Sequence, residues 1–161
     1  MKTKYHLILG ALALAAAALA GCGGSPKDAG AAAPSGRAIA ITANDTMKYS
    51  LTEIRAKPGE ALAVTLTNTG AVPKAVMGHN WILLVPETDL NAFSAASAQA
   101  AATGFIPDSF KGNIIVSTRL LGPNESDTVS FNAPAKPGRY PFVCAFPGHM
   151  QAGMKGFLIV E

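Results

Sequence analysis

The chain has 161 residues, 49% hydrophobic and 14% charged, with a formal net charge of +3. This length suffices for one domain with a hydrophobic core. Lys2 and Lys4 belong to a segment that we expect to be removed, which leaves eleven basic residues against ten acidic ones. Such a near-neutral balance gives no reason to expect a nucleic acid as partner.

The first 21 residues have the pattern of a secretory signal peptide. A short basic start is followed by an Ala- and Leu-rich run over residues 7–20, too short for a stable membrane span. The run ends in Leu19-Ala20-Gly21-Cys22, which resembles a bacterial lipobox, with Cys22 as the acylated first residue of the mature protein. The alternative is an ordinary cleavage site that leaves Cys22 as a spare thiol. We therefore expect an exported protein at the periplasmic or cell-surface face, anchored to a membrane through lipid.

Residues 22–36 are rich in Gly, Ala, Pro and Ser, a composition typical of a flexible tether. From residue 37 to residue 161 the pattern is that of one folded domain. Short runs of alternating apolar residues, separated by turns such as Lys57-Pro58-Gly59, predict β-strands. The predicted strands cover residues 38–42, 47–55, 62–66, 79–85, 114–120, 127–132, 140–144 and 156–160.

Residues 89–102 are the exception, because this Ala- and Ser-rich stretch with little β-branching predicts a helix. Eight short strands at regular spacing are typical of a sandwich of two sheets. The sequence thus predicts an all-β fold: an eight-stranded, antiparallel Greek-key β-sandwich with one inserted helix.

Four side chains with metal-ligand chemistry remain. Cys144, His149 and Met154 lie within one short connection, and His79 lies far upstream. With Cys22 acylated, Cys144 has no disulfide partner, so it is either a reactive thiol or a metal ligand. One thiolate, two imidazoles and one thioether form the ligand set of a blue-copper site, with a His, His, Cys plane and a weak axial Met.

Copper fits this set better than zinc does. Thiolate and thioether are soft ligands that suit Cu(I), whereas structural zinc sites rarely use Met. An enzyme with Cys144 as nucleophile would leave Met154 unexplained. A periplasmic copper carrier or storage protein could use the same ligands, and it remains the alternative. We expect an electron carrier with one type 1 copper, and not an enzyme.

The motifs resemble the azurin and auracyanin branch of the cupredoxins. The resemblance includes the upstream histidine segment, the Cys-x4-His loop, residues 117–122 and residues 154–156, and so extends over most of the mature chain. The two most specific segments are Met77-Gly78-His79-Asn80-Trp81 and Cys144-Ala145-Phe146-Pro147-Gly148-His149.

The resemblance implies further roles for residues beside the ligands. In the family, backbone groups at the positions of Asn80 and Phe146 donate hydrogen bonds towards the Cys sulfur. The glycine that corresponds to Gly78 presents a weakly interacting backbone carbonyl to copper. A titrating histidine of azurins is replaced here by Asn68.

One departure favours the auracyanin side of the family. Met154 stands five residues after His149, whereas azurins place the axial Met four residues after it. The ending from Gln151 to Gly156 looks more like auracyanin, a lipid-linked relative.

The resemblance also implies a monomer with an apolar surface around an exposed edge of His149. Redox proteins of the cytochrome or oxidase/reductase type would dock there transiently. We predict that this surface contains Met77, Val72, Pro147, Met150 and Ala152.

Overall fold

A computed structural model describes residues 36–161 of the chain. The predicted signal peptide (1–21), the lipidation site at Cys22 and all but the last residue of the predicted tether (22–36) lie outside the described residues. The described part forms eight strands: β1 (Arg37–Ala43), β2 (Glu53–Ala56), β3 (Ala61–Asn68), β4 (Ile82–Leu84), β5 (Ile114–Ser117), β6 (Ser126–Asn132), β7 (Gly138–Val143) and β8 (Lys155–Val160).

The strands form two sheets, so the predicted eight-stranded β-sandwich is confirmed. One sheet has the order β1-β3-β6 and the other the order β2-β8-β7-β4-β5. The expectation of purely antiparallel pairing is wrong, because β1 pairs with β3 and β2 pairs with β8 in parallel. A parallel pair needs a crossover between its strands, and β2 provides one for β1 and β3 by lying in the opposite sheet.

Three strands are shorter than predicted, and one of them, expected over residues 114–120, ends at Ser117. The strand expected over residues 47–55 is restricted to β2, because Met47 adopts a positive φ of 56° in a turn closed by its N–H on the Asn44 carbonyl. Upstream of β2, a single bridge joins Tyr49 to Ala43. The strand expected over residues 79–85 begins at Ile82, and His79 forms only an isolated bridge with Leu121.

The main core lies between the two sheets. Trp81 is fully buried there, with its ring centroid 5.4 Å from that of Phe142 and 6.1 Å from that of Phe131. Fully burying a large apolar side chain stabilises the fold by about 1.5–3 kcal/mol. Cys144 and Met154 belong to the same buried cluster. Two predicted copper ligands are therefore built into the core.

The predicted helix over residues 89–102 is present in shortened form. Helix α1 (Lys74–Met77) precedes it in the chain, and α2 (Leu90–Ser97) is the predicted helix, followed by 3-10 turns at Ala101–Thr103 and Asp108–Asn113. The Asp89 carboxylate caps α2 by accepting the N–H groups of Asn91 and Ala92 at 2.9 and 3.1 Å. Phe93 of α2 belongs to a second apolar cluster, on the outer face of the larger sheet.

The expectation of one inserted helix is incomplete because the structure also contains α1. This helix is a single turn after Pro73, too short to show a helical hydrophobic period. Within residues 36–161, no helix combines the length and the apolar character needed to cross a membrane.

Candidate metal centre

Two neighbouring strands place the ends of the ligand loop side by side. Cys144 directly follows β7 and Met154 directly precedes β8, and these strands pair antiparallel. The Cys144 N–H donates to the Met154 carbonyl at 3.1 Å, which continues the ladder by one step. Both ends of the eleven-residue connection, Cys144 to Met154, are therefore fixed by the sheet.

Hydrogen bonds within the loop bring His149 back towards these two residues. Gly148 has a φ of +84°, a conformation that glycine adopts at no steric cost, and it reverses the chain after Pro147. The His149 N–H then donates to the Phe146 carbonyl at 3.1 Å, and the Met154 N–H donates to the His149 carbonyl at 2.9 Å. The loop thus carries three of the four predicted ligands.

The fourth predicted ligand comes from a separate segment. His79 is held by a two-way backbone bridge with Leu121, in which the N···O distances are 3.0 and 2.7 Å. The ligand atoms of His79, Cys144 and His149 all lie within 4.8 Å of one another. His149 Nδ1 is 3.5 Å from Cys144 Sγ, and the two imidazole centroids are 5.0 Å apart.

The residues fit a bound copper ion on independent physical grounds. His79 is fully buried, yet neither of its ring nitrogens has a hydrogen-bond partner among the described residues. A buried polar group without a partner is costly, and coordination of a metal would remove that cost. Met154, also fully buried, adds a soft thioether to the same buried cluster as Cys144.

The protonation states of the loop ligands follow from burial. Burial raises the pKa of the Cys144 thiol to about 12, although backbone N–H groups of Asn80 and Phe146 act on the sulfur in the opposite direction. Burial and, to a smaller extent, the nearby His79 together lower the pKa of His149 to about 4. At neutral pH the imidazole is therefore ready to bind a metal, whereas the thiol must first lose its proton.

The upstream histidine is shifted in the same direction. Burial lowers the pKa of His79. The nearby Asn44 backbone carbonyl, although it is not in hydrogen-bond geometry with the ring, and the Asp45 carboxylate offset part of that shift. Both predicted histidine ligands therefore favour the neutral form that coordinates metals.

The Asn80 side chain links the two ligand-bearing segments. Its Oδ1 accepts the N–H of Ala145 at 2.8 Å, and its Nδ2 donates to the Gly104 carbonyl at 3.0 Å. The buried Tyr49 hydroxyl donates to the Asn80 carbonyl. The segment that carries His79 is thereby tied to the residue after Cys144.

Gly78 is buried against its surroundings. A Cβ added there would lie 2.7 Å from the Lys74 carbonyl and 3.0 Å from the Leu120 side chain. Packing alone therefore requires a glycine at this position. The weak contact of its carbonyl with copper remains a prediction.

The predicted docking residues differ in their exposure. Pro147 is exposed, and Met77, Val72 and Ala152 are half-buried. The prediction for Met150 is wrong: this side chain is 4% exposed, because it packs into the apolar cluster beneath α2.

Two further differences from the expected docking surface concern His149 and Val76. The expected exposed edge of His149 is not observed, since the residue is only 2% exposed. Val76, which was not predicted as a docking residue, is 62% exposed on α1. In the sequence, the residues that could have indicated this short helix are Pro73 and Gly78, which flank it.

Two packed sheets around a buried His, His, Cys, Met cluster define a cupredoxin with a type 1 copper site. The family model described as copper binding proteins, plastocyanin/azurin family, matches residues 37–161. The chain therefore belongs to the plastocyanin/azurin family, and its cofactor is copper.

Individual relatives support the same assignment. The chain is 33% identical to an azurin from Pseudomonas denitrificans over 126 residues, which are 76% of this chain and 97% of that protein. It is 34% identical to outer membrane protein H.8 from Neisseria gonorrhoeae, over 70% of this chain and 61% of that protein. The structure of reduced auracyanin from Roseiflexus castenholzii is similar with a TM-score of 0.68 and 32% identity, covering 77% of this chain and 96% of that one. At the level of the family, the chain is an electron carrier and not an enzyme.

Proposed function

We propose that this protein shuttles single electrons between membrane or periplasmic redox proteins through one type 1 copper. The observation that carries the proposal is the buried cluster of His79, Cys144 and His149, whose ligand atoms already lie within 4.8 Å of one another. When bound, copper supplies the reversible change between Cu(I) and Cu(II). The protein supplies a fixed set of ligands that suits both states.

The ligand positions are largely set before the metal binds. The sheet fixes Cys144 and Met154, and the bridge with Leu121 fixes His79. Since side chains in a packed core move little, the change of oxidation state would require little rearrangement. A small rearrangement is the structural condition for fast electron transfer.

Residues that contact the ligands would adjust the reduction potential. The backbone N–H groups of Asn80 and Phe146 act on the Cys144 sulfur and favour its thiolate form. Such hydrogen bonds withdraw electron density from the sulfur, so we expect them to raise the potential. The Gly78 carbonyl would add at most a weak fifth contact.

We define the docking surface as Val72, Val76, Met77, Pro147 and Ala152. Two residues of this surface are held by the same short segment. The Asp45 carboxylate accepts the N–H of Val72, and Lys48, three residues after Asp45, donates to the Ala152 carbonyl. Redox partners would bind this surface briefly, over a total area below about 1,200 Å². Electrons would enter through His149, which directly follows the exposed Pro147 and Gly148 in the chain. The centroid of its ring lies 4.6 Å from that of Phe146.

The alternative function, a copper carrier or store, uses the same four ligands. Burial argues against it, because His79, Cys144, His149 and Met154 are each at most 2% exposed. Handing the metal to a partner would require the loop to open, whereas an electron needs no such opening.

We further propose that the protein is exported and anchored by a lipid on Cys22. The lipobox-like Leu19-Ala20-Gly21-Cys22 supports this location, as does similarity to a protein named for the outer membrane. Replacing Cys22 with Ser should move the protein from the membrane fraction to the soluble fraction. Retention of this variant in the membrane fraction would contradict the anchor.

The proposed function is tested by the colour and redox behaviour of the copper-loaded protein. We expect an intense blue absorption and a reversible one-electron titration. Cys144→Ser should abolish the colour, because the colour depends on charge transfer from thiolate to copper. Met154→Leu should keep part of the colour and raise the potential, because Cu(II) loses a donor. A colourless, redox-silent copper complex of the natural sequence would overturn the proposal.

A second measurement separates the electron carrier from the copper carrier. Fast and reversible voltammetry, with retention of copper in the presence of a competing apo-protein, is the expected result. Slow, irreversible reduction with ready transfer of the metal would favour copper carriage instead.

A further inference from the structure

The segment between β1 and β2 contacts both ligand-bearing loops. The Asp45 carboxylate accepts the N–H of Ala71 at 2.8 Å and that of Val72 at 3.4 Å, in the loop that leads to His79. Three residues later, the Lys48 ammonium donates to the backbone carbonyl of Ala152, between His149 and Met154. The segment between β1 and β2 therefore holds the backbone of both loops, the one before His79 and the one between His149 and Met154.

The backbone around Lys48 is fixed on both sides. Tyr49 is 5% exposed, and its hydroxyl is bonded to the Asn80 carbonyl. On the other side, the Met47 N–H closes a turn on the Asn44 carbonyl. The exposed Lys48 side chain thus starts from a rigid base, which reduces the entropic cost of directing its ammonium to one acceptor.

The ligand loop is shaped to receive this ammonium. Among the described residues, no backbone N–H donates to the Ala152 carbonyl, so Lys48 provides the bond that the loop itself does not. Gly153 has a φ of +96°, and a Cβ built there would lie 2.6 Å from Lys48 Nζ. Glycine at this position therefore leaves the space that the ammonium occupies.

We infer that Lys48 is a positioning residue that holds the His149–Met154 loop and thereby sets the placement of the Met154 thioether. The bond is charge-assisted, and such bonds are about twice as strong as neutral ones. The bond holds the peptide group between Ala152 and Gly153, just before Met154. A shift of the backbone there would move the Met154 sulfur directly. This inference rests on the copper site proposed above.

The test compares three variants. Lys48→Met keeps an unbranched side chain that is one atom shorter and removes the donor, whereas Lys48→Arg keeps both the charge and the donor. Lys57→Met removes the same charge from another exposed lysine, in the turn after β2. The readouts are the ratio of the visible absorption bands, the electron paramagnetic resonance spectrum of the Cu(II) form, and amide hydrogen exchange of residues 151–153 in the metal-free protein.

Lys48→Met should change the band ratio and the resonance spectrum, and speed exchange at residues 152 and 153 by about tenfold. Lys48→Arg should restore most of the natural behaviour, and Lys57→Met should leave all readouts unchanged. Identical spectra and exchange in Lys48→Met and the natural sequence would overturn the inference, as would an equal change in Lys57→Met. A natural sequence without a blue site would instead overturn the proposed function and this inference with it.

Discussion

The protonation of single ligand residues determines how copper enters the site. In the metal-free protein, burial raises the pKa of the Cys144 thiol to about 12 and lowers the pKa of His149 to about 4. The pKa of His79 is also lowered by burial. Between about pH 7 and 9, both imidazoles are therefore neutral and the thiol is protonated.

Copper binding should accordingly release one proton. Because only Cys144 must be deprotonated, the affinity for Cu(I) should rise about tenfold per pH unit between about pH 7 and 9. Competition with a chelator of known pH dependence measures this slope, and a pH electrode in weakly buffered solution counts the proton. A release of two protons per copper would show that a histidine is charged in the metal-free protein.

Asn68 is the residue where azurins carry a titrating histidine. Its side chain is fully buried, donates to the Leu121 carbonyl at 3.3 Å and accepts the Gly70 N–H at 2.9 Å. An amide cannot titrate, so the reduction potential should vary little between about pH 5 and 8, where histidine titrates. Voltammetry across this range checks the expectation. A steep dependence would mean that another group near copper gains a proton on reduction.

At the scale of elements, α2 covers the outer face of the larger sheet. Phe93 is fully buried in a cluster that includes Ile82 and Leu84 of β4 and Val143 of β7. The inner face of β4 contributes Leu83 to the main core, so this strand is buried on both sides. An inserted helix thus shields the strand that neighbours β7, which ends at the Cys144 ligand.

Phe93→Ala should therefore lower the free energy of unfolding by about 3–5 kcal/mol, through lost burial and a residual cavity. Denaturant titration followed by the fluorescence of Trp81, the single tryptophan, measures the change. Gln99→Ala, at an exposed position after the helix, is the control and should change stability by less than about 0.5 kcal/mol. Equal stability of both variants would mean that α2 is not part of the cooperative fold.

At the scale of the whole molecule, charge is nearly balanced and apolar exposure is limited. Among the described residues, Leu51 and Val76 are the exposed large hydrophobic residues, at 40% and 62%. Val76 lies on α1, two residues from Gly78 and three from His79. Exposed apolar groups beside a redox centre favour recognition by apolar contact over long-range attraction.

Val76→Asp should therefore slow electron self-exchange between oxidised and reduced copies by about tenfold at low salt, because two like charges would meet across the docking surface. The reduction potential should change little. Leu51→Asp introduces the same charge at the other exposed hydrophobic residue, and its rate should equal that of the natural sequence. Line broadening in nuclear magnetic resonance measures the rate, and equal slowing by both variants would contradict the proposed surface.

The sequence alone determined the metal chemistry and the type of fold. The identity of donor atoms is a property of the side chains, so His79, Cys144, His149 and Met154 indicate copper before any coordinates are known. Alternation of apolar residues likewise predicted eight strands, because the period of side chains along a strand is local. The shortening of the strand predicted over residues 47–55 was harder to predict, since the positive φ of Met47 left no local signal in the sequence.

Only the tertiary structure decided what depends on distant pairing. The parallel pairs β1–β3 and β2–β8, the interior placement of Met150 and the near-complete burial of His149 follow from how the sheets and α2 pack. The bond from Lys48 to Ala152 joins residues 104 positions apart. Such contacts arise from the whole fold: a sequence pattern specifies which atoms can bond, and packing selects which of them meet.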